Sequence, residues 1–142
     1  MTKTAAPERL LDVRFPARAD QLCEVRDAVR ACIFGIGAGD ECINDVVLAV
    51  DEACQNVIRH AYGGEPGGEI QLRVDRLDDE LVFSLRDFAP KVDPAKVKPR
   101  DLDDLRPGGL GTHLIRSVMD QAEFVNTDAE PGNLFRMVKR IV

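Results

Sequence analysis

The longest regular pattern of apolar and polar positions runs from Asp40 to Tyr62, DECINDVVLAVDEACQNVIRHAY. Ile43, Val46, Val47, Val50, Ala53, Cys54, Val57, Ile58 and Ala61 recur in steps of three or one, a spacing that predicts an amphipathic helix. Asp40 is a candidate N-cap and Gly63-Gly64 a stop signal. Glu52, Asn56 and His60 fall four residues apart, on a second stripe away from the apolar one. A carboxylate and an amide stacked this way can hold a metal or activate a water or hydroxyl. A solvated polar face gives the same short pattern, so the rest of the chain has to decide.

On either side the pattern changes period. Leu10 to Phe15 alternates after its first residue and Pro16 ends it, which predicts a short strand. Asp20 is placed to cap a helix from about Gln21 to Phe34, with Leu22, Val25, Ala28, Val29, Cys32 and Ile33 inward. Gly35, Gly37 and Gly39 break that helix before the central one. Tyr62 to Gly68 is a turn-rich connector. Glu69 to Leu77 and Glu80 to Asp87 alternate on either side of Asp78-Asp79, as an antiparallel hairpin does. From Phe88 to Gly109 periodicity stops and four prolines appear (Pro90, Pro94, Pro99, Pro107). A loop this long in a compact domain is commonly functional, and a lid is expected over about 88–109. Leu110 to Asp120 is amphipathic again. Glu123 to Asn126 predicts a short strand, Asp128 to Gly132 a turn, and Asn133 to Val142 a last strand.

The order β, α, α, β, β, lid, α, β, β implies an α/β two-layer sandwich. Its sheet is expected to be mixed and mostly antiparallel, with helices on one face. A single domain is expected over 10–142, preceded by a flexible 1–9. The regular βαβ alternation of a Rossmann fold is absent.

Composition narrows the function classes. The chain has 142 residues, 44% of them hydrophobic and 31% charged, ordinary for a water-soluble globular domain. A net charge of −6 argues against general nucleic-acid binding, although backbone N–H groups and local arginines can still hold anions. The four cysteines (Cys23, Cys32, Cys42, Cys54) form no C-x-x-C pair and read as small buried side chains in a reducing compartment. Residues 1–12 carry no apolar run of the signal-peptide kind. No stretch approaches the ~20 apolar residues that span a bilayer. A cytoplasmic location without membrane contact is expected.

Two further stretches carry candidate chemistry. Gly108, Gly109 and Gly111 precede a helix start at Thr112, where unpaired N–H groups and the positive dipole end favour phosphate. Arg106 lies just upstream, within reach of a terminal phosphate. A simple loop-to-helix turn uses the same glycines, and no Lys follows them as in the Gly-x-x-x-x-Gly-Lys-Ser/Thr loop. Asp87 ends the second hairpin strand. A carboxylate there can accept a hydrogen bond from an exocyclic amine such as that of adenine, or merely terminate the strand.

Taken in order, these features resemble the ATP-binding fold (the Bergerat type) shared by gyrase, Hsp90, histidine kinases and MutL. Glu52-Ala53-Cys54-Gln55-Asn56 with His60-Ala61-Tyr62 is more narrowly similar to the anti-sigma-factor serine kinases of bacterial partner-switching modules. So is Gly109-Leu110-Gly111 with Leu114-Ile115 and Met119-Asp120. The resemblance spans residues 10–142. It implies that Asn56 coordinates Mg²⁺ and that Glu52 is the general base toward a serine hydroxyl. It implies that Asp87 recognises the adenine amino group, and that Gly108, Gly109, Gly111, Thr112 and Arg106 hold the phosphates of ATP beneath the lid. Its expected partners are a STAS-domain anti-anti-sigma protein as substrate and a sigma factor or other regulatory target, with a homodimer as the assembly. The family's Asp-x-Gly-x-Gly is here Asp87-Phe88-Ala89-Pro90-Lys91, with Ala89 and Lys91 in the glycine positions. That departure motivates an alternative, a nucleotide-binding partner switch with little or no kinase activity. A self-contained ATPase of the gyrase or Hsp90 kind fits this short chain poorly.

Overall fold

The computed structural model describes residues 6–65, 67–90, 110–125 and 129–141. Strand β1 (Glu8–Pro16) leads through a short 3₁₀ turn, Ala19–Gln21, into helices α1 (Leu22–Gly35) and α2 (Asp40–Asn56). Strands β2 (Glu69–Leu77) and β3 (Glu80–Asp87) follow, then α3 (Leu110–Val118), β4 (Gln121–Phe124) and β5 (Asn133–Arg140). The sheet order is β1-β2-β3-β5-β4, antiparallel at each of its four described pairings.

The alternation in β2 and β3 sends Ile70, Leu72, Val74, Leu81, Phe83 and Leu85 to one face, where all are buried. Leu22, Val25, Val29 and Ile33 of α1 and Ile43, Val46, Val47, Val50, Ala53 and Cys54 of α2 close over them. Each fully buried aliphatic side chain of this kind contributes about 1.5–3 kcal/mol relative to exposure. The other face of the sheet has no helix among the described elements and carries charged cross-strand pairs: Arg9 with Asp75, Arg73 with Asp12, and Arg136 with Glu123. The β2–β3 turn is Asp78-Asp79, as the pattern implies. Asp78 sits at φ 56°, a left-handed conformation that aspartate tolerates.

Several boundaries differ from the sequence expectation. Asp20 lies in the 3₁₀ turn and pairs with Arg18 at 3.1 Å, and no side chain caps α1. Gly39 occupies the N-cap of α2 and Asp40 its first turn, where the negative charge meets the helix dipole. Strand β4 begins at Gln121, because Asp120 N–H already donates to the Val138 carbonyl at 2.8 Å and draws the chain into the sheet. Of the cysteines only Cys54 is fully buried, Cys23 is exposed, and all four are free thiols.

The change that matters most for the site is at the end of α2. Regular helix stops at Asn56 and a wide π-type turn, Val57–Ala61, replaces the last turn. The Tyr62 N–H donates to Val57 O at 3.2 Å and the Gly64 N–H to Ile58 O at 2.9 Å. The wider turn changes the direction in which Tyr62 leaves the helix.

Candidate functional site

Glu52 and Asn56 sit one turn apart at the C-terminal end of α2, on the side flanking its buried stripe. Glu52 Oε2 and Asn56 Oδ1 are both buried atoms. Among the described residues nothing donates a hydrogen bond to Asn56 Oδ1. A buried acceptor left in that state costs about 1–3 kcal/mol, so such atoms are rare in folded proteins, and a bound ion, ligand or water is among the things that complete them. An amide oxygen is a hard donor of the kind Mg²⁺ takes, and Mg²⁺ commonly keeps few protein ligands alongside phosphate oxygens and water. Asn56 fits that role on its chemistry.

The neighbouring polar groups satisfy one another. Arg26 Nη1 donates to Asp51 Oδ1 at 2.7 Å and Gln55 Nε2 to Asp51 Oδ2 at 2.7 Å. Arg59 Nη2 donates to Gln55 Oε1 at 3.2 Å. This chain ties α1 to α2. His60 is exposed on the π-type turn.

At the end of β3, Asp87 is 3% exposed and its Oδ1 accepts three hydrogen bonds. They come from Ala89 N at 3.0 Å, Asn133 N at 3.3 Å and Asn133 Nδ2 at 3.0 Å. Among the described residues no hydrogen bond ends on Oδ2. Burial pushes the Asp87 carboxyl above its ordinary value, and the donors from Asn133 and Ala89 oppose that rise. Asn133 faces Asp87 across the β3–β5 ladder, and its Nδ2 also donates to Pro90 O at 3.0 Å. Gly132, at φ 72°, lies so close that a Cβ there would stand 1.7 Å from Asp87 O.

Gly111 and Thr112 lie in the first turn of α3, which packs against α2. The helix starts at Leu110, so the expected start at Thr112 is two residues late. Arg106, Gly108, Gly109, Lys91 and the expected lid beyond Pro90 lie outside the described residues. Among the described residues no group of three or more His, Cys, Asp or Glu side chains converges, and no helix is long and apolar enough to cross a membrane. A hollow of about 490 Å³ between α1 and α2, lined by Arg30, Phe34 and Ile43 among others, contains none of the candidate residues.

Sequence reasoning places Asn133 at the start of the last strand, Gly132 at the end of the preceding turn and Tyr62 in the His60-Ala61-Tyr62 motif, but assigns none of them a role in the site. Their roles depend on the β3–β5 register and on the π-type turn. A Gly-Asn pair opening a strand is the one local sign, since it marks a left-handed residue next to a side chain able to donate.

An α/β sandwich with a buried carboxylate ending a central strand, and against that strand a helix carrying a carboxylate and an amide oxygen to which no described residue donates, is the frame of a nucleotide-binding ATPase domain. Residues 15–139 match the histidine kinase-like ATPase domain family, and the chain belongs to that family. Within it the chain stands with the serine-protein kinases named RsbW. It is 32% identical to the Staphylococcus aureus protein, over 94% of this chain and 88% of that one. It is also 32% identical to the Bacillus pumilus (strain SAFR-032) protein, over 80% of this chain and 76% of that one. The crystal structure of the RsbU and RsbW domains of Rv1364c from Mycobacterium tuberculosis superposes with a TM-score of 0.66 at 19% identity. It covers 96% of this chain and 33% of that longer one, and shows the shared fold.

Proposed function

We propose that this chain is an ATP- and Mg²⁺-dependent protein serine kinase and an anti-sigma-type regulator of the cytoplasm. It binds a sigma factor or another regulatory target and phosphorylates a STAS-type antagonist on serine. The observation that carries this reading is the buried Oδ1 of Asn56, to which no described residue donates, one helical turn from Glu52. Membership of the family and the resemblance to RsbW kinases support it.

When bound, Mg·ATP supplies the γ-phosphoryl group and the charge neutralisation. The residues of the chain do the rest. Asn56 offers its amide oxygen to the metal. Glu52 accepts the proton of the incoming serine hydroxyl as that oxygen bonds to the γ-phosphorus and the bond to the bridging oxygen of ADP breaks. Asp87 accepts a hydrogen bond from the adenine amino group. Gly108, Gly109, Gly111, Thr112 and Arg106 hold the phosphates, with the segment over about 88–109 as the lid of a single domain. The working unit is a homodimer, for which β1, an edge strand of the sheet, is a natural contact.

The test is incubation with labelled ATP, Mg²⁺ and the STAS protein encoded nearby. Phosphoserine on that protein is the expected result. ATP binding without phosphoserine on a verified cognate partner leaves only the switch role, and no ATP binding sinks both.

A further inference from the structure

The last opposed pair of the β2–β3 ladder is Ile70 with Asp87, so Glu69 and Phe88 are the next residues in line. The Tyr62 hydroxyl stands between their backbone groups. It donates to Glu69 O at 2.7 Å and accepts from Phe88 N at 2.7 Å. One side chain thus carries the ladder past the point where β2 and β3 part. The Phe88 ring packs under Arg14, whose guanidinium carbon lies 4.3 Å from the ring centroid. From the other side Asn133 Nδ2 holds Pro90 O. Residues 88–90 are slung between the end of α2 and the start of β5, with Asp87 at their root.

Tyr62 is itself held. A Cβ on Gly68 would lie 2.6 Å from the tyrosine ring, so the ring rests directly on the connector backbone. The π-type turn at Val57–Ala61 sets the direction in which Tyr62 leaves α2. Gly63 and Gly64, at φ 58° and 77°, then turn the chain back.

We propose that Tyr62 is a positioning residue for base recognition. It clamps the Phe88 amide and thereby sets where the Asp87 carboxylate meets adenine, and it does so from the helix end that carries Asn56. The proposal rests on the reading of Asp87 as the adenine acceptor. It adds a physical link between the metal side and the base side of the site.

The experiment compares Tyr62→Phe with the wild type by calorimetric titration with Mg·ATP and with Mg·GTP, alongside amide exchange at Phe88. Tyr62→Phe keeps the ring and removes both hydrogen bonds. Losing this positioning predicts a roughly fivefold narrower preference for ATP over GTP, equivalent to about 1 kcal/mol. Phe88 should exchange faster, and kcat at saturating ATP should hold while KM for ATP rises. A merely structural role weakens both nucleotides alike and leaves their ratio unchanged, which overturns the proposal. Gly68→Ala displaces the ring while keeping the hydroxyl and should narrow the preference in the same direction. An unchanged ratio in either folded variant contradicts the clamp. A wild type that binds no ATP instead sinks the nucleotide reading itself.

Discussion

Asn56 Oδ1 and Asp87 Oδ1 are both buried, yet the fold serves them in opposite ways. Three donors converge on the Asp87 oxygen, while none among the described residues reaches that of Asn56. A buried carboxylate carries a larger desolvation cost than an amide and cannot be left bare, so β5 is set in register to bring Asn133 against it. An amide oxygen can be left bare for about 1–3 kcal/mol. Under the proposed function, the contrast divides the site into a base side that the fold completes and a phosphate side that the ligand completes. Substitutions on the first side should cost stability as well as binding, and on the second binding or chemistry alone.

The largest effect expected is catalytic. Glu52→Gln should slow phosphoryl transfer to the STAS substrate by about 10²–10⁴ while Kd for ATP changes little, read by single-turnover kinetics. A rate within a few-fold of wild type would remove Glu52 from the role of base. Gly132→Ala should act on the base side. It places a side chain at φ 72° and a Cβ 1.7 Å from Asp87 O, so chemical denaturation should show a loss of more than about 2 kcal/mol, with ATP affinity falling too. Asn133→Ala removes two hydrogen bonds and should cost about 1–3 kcal/mol. Full stability with weakened ATP binding would mean that the base side is not prebuilt.

The smallest effect is in pH. Burial lifts the Asp87 carboxyl, so the folded protein holds this proton to higher pH than the unfolded chain does. The stability that protonation adds is fully present below the ordinary carboxyl range and is lost as pH rises through the lifted value. Nucleotide affinity runs the other way, because the protonated group is a poorer acceptor. ATP binding should weaken as pH falls through that value, and Asp87→Asn should flatten the profile across the same window.

Much of the architecture is written in local pattern. The stripe from Ile43 to Cys54 and the alternation of β2 and β3 bury the residues that their periods indicate, because a helix or strand has few ways to hide its apolar side. The placement of Glu52 and Asn56 on α2 and of Asp87 at the end of β3 is legible for a similar reason, as polar residues set at fixed places on those elements. Asn133 and Gly132 are not, since they matter only through a register fixed by residues some forty-five positions away. Tyr62 is hidden by the π-type turn, which changes a hydrogen-bonding pattern without leaving a mark in composition. The end of α2 is therefore where a continuous helical reading of Asp40 to Tyr62 departs most from the structure.

The central claim is that Asn56 is the residue the ligand completes. Calorimetric titration of Mg·ATP into wild type and Asn56→Ala tests it most directly, with thermal unfolding of both proteins in the absence of nucleotide as the reference. The account predicts that the variant loses Mg·ATP binding and keeps a melting temperature at or slightly above that of wild type, because a buried acceptor that no described residue serves has been removed. Unchanged affinity in the variant would contradict it.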